Sequence, residues 1–177
     1  MMNVEERIRS LNLSTLFRWF ILYSMIGWIF ETIFCFSVSG NLTKRGFLFG
    51  PICPIYGLSL LVMIIICSDM GKSIIGLIIK CGLVSSVLEY FTSTWMEQLF
   101  DKRWWDYSDM IMNINGRICL GAFLLFGILG ALIIRFVHPS LVSLFNRIPD
   151  RVIRAIDRTV VAVFLYDILL SFRANIG

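Results

Sequence analysis

The chain has 177 residues, of which 58% are apolar and only 16% are Asp, Glu, Lys or Arg. Soluble domains are about 45–50% apolar and about 25% charged, and a soluble core of this size cannot bury so many apolar side chains. The mean hydropathy of +0.81 and the modest formal charge of +4 exclude a nucleic-acid-binding module, a disordered tail and a secreted disulfide scaffold. They predict an integral membrane protein.

Four apolar runs are long enough to cross the hydrocarbon core of a bilayer, which takes about 20 helical residues. They cover residues 16–38, 47–67, 73–100 and 117–137. The first run is too long for the core of a signal peptide and no cleavage site follows it, so we expect an uncleaved spanning helix. The fourth run carries three glycines that offer flat faces for close helix contact, namely Gly121, Gly127 and Gly130.

The second run begins with two prolines, Pro51 and Pro54. Proline removes a backbone donor, so the start of this helix is expected to be irregular, and broken helices in membranes often build substrate or ion sites. The alternative is that both prolines lie in the first turns of the helix, where they cost little.

A fifth run, residues 152–172, is less apolar, because Arg154, Asp157 and Arg158 stand near its start and Asp167 near its end. We expect it to span the membrane, with an interfacial amphipathic helix as the alternative. The predicted fold is thus an all-α integral membrane protein with about five transmembrane helices.

The predicted spans form one membrane domain over residues 1–177, with hairpins over about 16–68 and 73–137 and a basic loop and terminal helix over about 138–172. The two hairpins share a plan, because an offset of 70 residues places Gly46 over Gly116 and Gly57 over Gly127. Both hairpins cross the membrane out and back in the same sense. A repeat of this kind would therefore be parallel rather than inverted.

The distribution of basic residues between the connections predicts the orientation. One side of the membrane receives nine of them: Arg7, Arg9, Arg18, Lys72, Arg135, Arg147, Arg151, Arg154 and Arg158. The other side receives Lys44, Arg45, Lys102, Arg103 and Arg117, with Arg173 in addition if the fifth run spans. Because cytoplasmic connections carry the excess of Lys and Arg, we expect a cytoplasmic N-terminus. The aromatic segment 101–116 would then face outward as a surface helix or a partly re-entrant cap, with a plain interfacial anchor as the alternative.

Ionisable side chains within the runs are candidate site residues, because burying a charge in a bilayer is costly. Glu31 and Glu89 each lie about 15 residues into a run, and Tyr56 reaches a similar depth. The third run carries a continuous polar stripe of residues three or four positions apart: Gly82, Ser85, Ser86, Glu89, Ser93 and Glu97. A comparable stripe on the first run consists of Ser24, Gly27, Glu31 and Cys35.

Two interpretations of these stripes stay open. The functional one is a polar site that opens outward and binds substrate, with these candidate residues: Glu31, Glu89, Tyr56, Arg117, Arg45, Glu97 and Asp106. The structural one is contact between helices, with Glu31 and Glu89 paired with Arg45 or Arg117 or protonated.

No motif for catalysis or for a cofactor occurs in the chain. The five cysteines are odd in number and lack CxxC spacing, which indicates buried small apolar residues, and a single histidine argues against a zinc site. Residues 70–73 resemble the end of a phosphate-binding loop, but Ile66 stands where its first glycine belongs, so we predict no ATPase in this chain. An intramembrane enzyme with Glu89 or Glu31 as base is the least favoured class, because no nucleophile or metal set accompanies them. We expect no cofactor and no metal.

Four motifs in order resemble one known family. They are Tyr23-Ser24-x-x-Gly27-Trp28-x-x-Glu31, Arg45-Gly46-Phe47-Leu48-x-Gly50-Pro51-x-x-Pro54-Ile55-Tyr56-Gly57, Trp104-Trp105-Asp106-Tyr107-Ser108 and Asn113-x-x-Gly116-Arg117-Ile118-Cys119-Leu120. Over about residues 16–150 the chain resembles the bacterial membrane family named putative ABC-transporter permease, CmpB-like or type IV. The resemblance implies a permease role, a location in the bacterial cytoplasmic membrane and an ATPase on a separate chain.

The function expected from these observations is a permease subunit that binds a small polar or lipid-derived substrate. The second hypothesis is a non-transporting membrane factor that stabilises or regulates a partner through glycine-rich and aromatic surfaces. The expected partners are the lipid bilayer, a separate ATPase subunit or a second copy of the chain, and no nucleic acid. The basic stretch 139–158 is a further candidate for contact with a partner.

Overall fold

A computed structural model describes residues 13–41, 46–67 and 73–176 of the chain. The helices are α1 (Leu13–Ser39), α2 (Pro54–Cys67), α3 (Ile74–Phe100), α4 (Leu120–Leu132), α5 (His138–Phe145) and α6 (Asp150–Ile176), with a π-helical segment, Ile133–Val137, between α4 and α5. Within the described ranges no strand forms, and the one β-type contact is an isolated bridge between Ile114 and Ile118. The predicted all-α class is thus confirmed for this part of the chain.

Three helical stretches are long and apolar enough to cross a membrane: Leu13–Ser37, Ile74–Phe100 and Leu120–Phe145. They correspond to the first, third and fourth predicted spans. The third stretch is longer than the predicted 117–137, because the helix continues through the π-helical segment. Pro139 lies in the turn after that segment, and the wide π-helical turn ahead of it relieves the clash that proline causes inside a regular helix.

The second predicted span, 47–67, is only partly helical. α2 starts at Pro54 and has 14 residues, a length of about 21 Å against a hydrocarbon thickness of about 30 Å. Gly46 has a φ of +81°, and the amide of Ile52 donates to the carbonyl of Gly50 at 2.8 Å, so the chain turns irregularly before the helix. Pro54 itself occupies the first helical position, where proline is well accepted.

The chain divides into two compact units, and the division falls inside α2. Unit 1 consists of Met1–Leu58 and Ile148–Gly177, and unit 2 of Ser59–Arg147. Among the residues assigned to the two sides of the membrane, Arg7, Arg9, Lys44, Arg45 and Lys72 lie outside the described residues. The orientation of the chain stays a prediction.

Unit 1 holds an apolar core between α1, α6 and the segment 46–53. Ile21, Leu48 and Ile52 are buried at its centre. The ring of Phe164 lies 5.8 Å from that of Phe17 and 5.7 Å from that of Phe20, both in edge-on geometry. α6 is a single helix of 27 residues, and these contacts pack it against α1. Whether it spans the bilayer stays a prediction.

Unit 2 is built on close contact between α3 and α4. A Cβ added at Gly127 would lie 2.6 Å from the Ile78 carbonyl oxygen, and one at Gly130 would lie 2.8 Å from the Met63 sulfur. Two of the three predicted contact glycines therefore allow helices to approach closely. Gly121 does not, because the nearest atom that its added Cβ would meet is the Cys119 sulfur at 3.8 Å.

Residues 101–119 contain no helix. They are called the outer loop below, after the side of the membrane on which the predicted orientation places them. The expectation of a surface helix here was wrong. Asp101, Met112 and Asn115 have φ values of 49°, 54° and 54°, in the left-handed region that a right-handed helix excludes. Polar side chains such as Asn113, which accepts from the Gly116 amide at 3.2 Å, bond to nearby backbone groups and compete with helical hydrogen bonds.

Candidate functional site

A row of polar side chains is buried along one face of α3. Ser85, Ser86, Glu89 and Ser93 are exposed by only 4%, 9%, 6% and 5%. Their three- and four-residue spacing places them on adjacent turns of one helix face. The face predicted from the sequence is therefore buried rather than exposed.

Glu89 is the ionisable member of this row, and one of its carboxylate oxygens lacks a partner. The Tyr107 hydroxyl, on the outer loop, donates a hydrogen bond to the Glu89 carboxylate. Glu89 Oε2 is buried and has no hydrogen-bond partner among the described residues. Because a buried acceptor without a donor destabilises a fold, such an oxygen requires an explanation.

Arg117 fastens the outer loop to the end of α3. Its Nη2 donates to Glu97 Oε2 at 2.6 Å and its Nη1 to Ser93 Oγ at 3.0 Å. Its guanidinium carbon lies 5.9 Å from the centre of the Tyr90 ring. Arg103 Nε donates to the other oxygen of Glu97 at 2.8 Å, so one carboxylate holds two arginines.

Asp106 has a local role inside the outer loop. Its Oδ1 accepts from the Ser108 amide at 2.9 Å and from the Ser108 hydroxyl. These bonds, together with the charge of Arg103, hold the pKa of Asp106 below its ordinary value. Gly116 lies directly against this turn, because an added Cβ would come within 2.5 Å of Asp106 Oδ1, and its φ of +67° also favours glycine. The geometry makes Asp106 a turn residue.

The remaining described candidates lie in unit 1. Glu31 is half-buried on α1, and Cys53 Sγ donates to its Oε2 at 3.5 Å. Tyr56 packs against α1 where Gly27 has no side chain, since a Cβ at Gly27 would overlap the tyrosine. Ser24 is fully buried, and its hydroxyl oxygen has no partner among the described residues.

The structure thus groups the predicted site residues in two sets. Glu31 and Tyr56 belong to unit 1, and Glu89, Glu97, Asp106 and Arg117 to unit 2. Arg45 lies outside the described residues. The carboxylate that pairs with Arg117 is that of Glu97, and neither Glu31 nor Glu89 is its ion-pair partner in the described part of the chain.

Sequence reasoning missed the polar contacts of α6. Asp167 accepts from the Phe49 amide through Oδ1 and from the Gly50 amide through Oδ2, both at 2.9 Å. Asp157 forms an ion pair of 2.7 Å with Arg18. The sequence signal for these contacts is the spacing of Asp157, Asp167 and Ser171, which places all three on one face of a helix but does not identify their partners.

Side chains that commonly bind metal ions do not cluster in the part of the chain that the structure describes. No group of three or more His, Cys, Asp or Glu side chains converges among residues 13–41, 46–67 and 73–176. All five cysteines are free, and all but Cys35 are buried.

A family model described as putative ABC-transporter type IV matches residues 18–172. No curated protein and no solved structure matches the chain. The matched region contains α2 to α5, nearly all of α1 and most of α6, and with them every candidate site residue. The chain therefore belongs to the putative ABC-transporter type IV family.

Proposed function

We propose that this protein is the permease-type subunit of a membrane transporter and that Glu89 lines its binding site for a small polar or lipid-derived substrate. The family name and the three long apolar helices support a transporter-type membrane protein. The chain carries no phosphate-binding motif of its own, so ATP hydrolysis would belong to a separate subunit.

One observation carries the assignment of the site, namely the unpartnered Oε2 of Glu89. Burial of this oxygen is unfavourable unless a donor reaches it. A substrate hydroxyl or amino group would supply that donor, and the adjacent serine hydroxyls on the same face of α3 can donate or accept further hydrogen bonds. The site would therefore select substrates that present O–H or N–H groups.

The outer loop would cover this site. Its Tyr107 reaches Glu89, and its Arg117 is anchored to Glu97 on the same helix. A substrate that takes the place of the Tyr107 hydroxyl would have to displace this part of the loop. The expected cytoplasmic N-terminus would make the entrance face the outside of a bacterial cytoplasmic membrane.

A second candidate function has its own support in the exposed tip of the outer loop. Met110, Ile111 and Met112 are exposed by 57%, 79% and 73%. Exposed apolar patches often mark contact sites. A non-transporting factor that stabilises or regulates a partner would use such a surface, with the polar row of α3 serving only to hold the helices together.

The test starts with purification of the tagged full chain from its native host in a mild detergent. Co-purification of an ATPase subunit is expected.

Replacement of Glu89 by Gln keeps the shape and the hydrogen-bonding capacity of the side chain but removes its charge. The Glu89→Gln variant should keep the melting temperature and the ATPase, yet fail to complement a strain that lacks the gene. Asp109→Asn, at an exposed acid of the outer loop, is the matched control and should complement fully.

The complementation assay and the purification each have an outcome that contradicts the proposal. Full complementation by Glu89→Gln would show that the residue only packs helices, because hydrogen bonds between membrane helices average only about 0.6 kcal/mol. Purification without any ATPase, together with loss of complementation on replacing Ile111 by Ser, would favour the non-transporting factor.

A further inference from the structure

α6 buries three polar side chains, and over residues 161–172 its outward side is apolar. Asp157, Asp167 and Ser171 are exposed by 8%, 8% and 0%. Tyr166 and Leu169, on the outward side, are exposed by 64% and 65%. In water this arrangement would be unfavourable on both sides of the helix.

The inward polar groups are satisfied within unit 1. Asp157 accepts from Ser14 Oγ at 2.7 Å and forms its ion pair with Arg18. Asp167 accepts from two backbone amides, and Ser171 Oγ donates to it at 3.2 Å. The polar side chains on the buried face of α6 are therefore hydrogen-bonded within unit 1. The outward apolar face is the side of the helix that has no cover within the described residues.

Three arginines lie at the other end of this outward face. Arg151, Arg154 and Arg158 are all exposed, and their spacing of three and four residues places them on one side of the helix. Leu165, seven residues after Arg158, lies on the same side about 10 Å further along and is 54% exposed. The structure records no ion pair between these arginines and any acidic side chain that it describes.

We propose that this face of α6 binds anionic phospholipid, with the three guanidinium groups on lipid phosphates and residues 161–172 against the acyl chains. A guanidinium group matches phosphate oxygens with paired N–H donors. Basic clusters directly beside an apolar membrane helix are attracted to anionic lipid headgroups. The order along the helix, basic first and then apolar, is the order of headgroup and acyl chain in one leaflet.

A bilayer fits this surface better than an acidic protein does. Phe172, 40% exposed, continues the apolar surface to nearly the end of the helix. A partner that only complemented the charge would leave about 18 Å of apolar helix face uncovered. One lipid leaflet supplies both the negative charge and the hydrocarbon.

The test uses the purified full chain in nanodiscs of phosphatidylcholine that contain increasing fractions of phosphatidylglycerol. Native mass spectrometry of the released protein then measures the preference for phosphatidylglycerol. Replacing Arg151, Arg154 and Arg158 together by Gln should lower this preference about fivefold per residue and about 100-fold in all. The preference of the parent should weaken at high salt, because salt screens exposed charges.

Two further variants keep the result interpretable. Arg173→Gln removes one charge from the far end of the same helix, where the side chain is also exposed. It should leave the preference close to that of the parent, well short of the loss of about fivefold expected at each of the three arginines. Replacing the three arginines by Lys keeps the charge and should keep most of the preference. If the triple Gln variant does not fold, the single Gln variants provide the same measurement.

Three outcomes would overturn the proposal. The first is a parent protein that binds phosphatidylglycerol no better than phosphatidylcholine. The second is a triple Gln variant with an unchanged preference, and loss of a co-purifying protein in that case would identify the surface as a protein interface. The third is equal competition by soluble glycerol phosphate, which would indicate a site for a free phosphate rather than for lipid.

Discussion

Arg117 Nη2 lies 2.6 Å from Glu97 Oε2, although the two residues are 20 positions apart in the chain. Glu97 lies in the last turn of α3 and Arg117 shortly before α4, so their ion pair joins the two ends of the outer loop. The second carboxylate oxygen of Glu97 accepts from Arg103, and the Trp105 indole donates to the Arg117 carbonyl at 3.0 Å. The loop that carries Tyr107 to Glu89 is therefore held at both of its ends.

Replacing Arg117 by Ala should loosen the outer loop. In this variant Glu97 keeps its hydrogen bond from Arg103 but loses the shorter one from Arg117. The hydroxyl of the buried Ser93 also loses Arg117 as its donor. We expect a lower melting temperature and a lower yield of the purified protein in detergent. The control is Lys102→Ala, which removes an exposed base of the same loop that lies 5.5 Å from the Trp104 ring centre. Equal melting temperatures for Arg117→Ala and the parent would show that the ion pair does not hold the loop.

Two glycines of α4 should respond to Ala in opposite directions. Gly127→Ala places a methyl group 2.6 Å from the Ile78 carbonyl oxygen, and we expect a loss of stability of about 1–3 kcal/mol, as overpacking usually causes. Gly121→Ala meets nothing closer than 3.8 Å and should be neutral or stabilising by up to about 1 kcal/mol, because Ala favours a helix over Gly. Denaturant titration of the two variants in the same detergent measures this difference. A stable Gly127→Ala protein would contradict the close approach of α3 and α4.

Asp167 should support the turn before α2. Asp167→Ala leaves the Gly50 amide without its acceptor and removes one of the two acceptors of the Phe49 amide. We expect a loss of about 1–3 kcal/mol, because the part-buried Gly50 amide is left without its acceptor and a second hydrogen bond is lost. Asp167→Asn keeps one acceptor oxygen and should lose less. If Ala and Asn are equally mild, these hydrogen bonds do not stabilise the turn.

The orientation of the chain can be tested at Asp109. This side chain is exposed on the outer loop, whereas the neighbouring Ser108 is bonded to Asp106. Asp109→Cys should react with a membrane-impermeant thiol reagent in intact cells if the N-terminus is cytoplasmic. The parent, whose cysteines are buried except for the half-buried Cys35, is the control. Labelling that requires permeabilised cells would reverse the predicted orientation.

The two glycine pairs of the predicted repeat have matching geometry within their own units. Gly46 and Gly116 both have a positive φ, of 81° and 67°. Gly57 and Gly127 both lie against a neighbouring helix. A Cβ added at Gly57 would overlap the Phe20 carbonyl, and one added at Gly127 would overlap the Ile78 carbonyl. A sequence pattern of glycines thus corresponds to turns and close helix contacts, and the repeat itself stays a prediction.

The sequence by itself determined that the protein is a membrane protein and that its secondary structure is helical. Apolar runs of about 20 residues predict helices in a bilayer, because only a helix satisfies every backbone group within one segment. The polar row on α3 was also predictable, since residues three or four apart share a helix face whatever the tertiary structure is. These properties depend on neighbours in the chain, and a single sequence contains that information.

Only the tertiary structure decided which distant groups meet. Asp167 and Phe49 are separated by 118 positions and Arg18 and Asp157 by 139, and no local pattern relates them. α6 was difficult to interpret for the same reason. Its charges lower its hydropathy, but two of its acids are buried against partners on other segments, so over residues 161–172 its outward face is far more apolar than its composition suggests. Mean hydropathy is calculated from residues that are neighbours in the chain. The burial of a polar group depends instead on the hydrogen-bond partner that the tertiary structure places beside it.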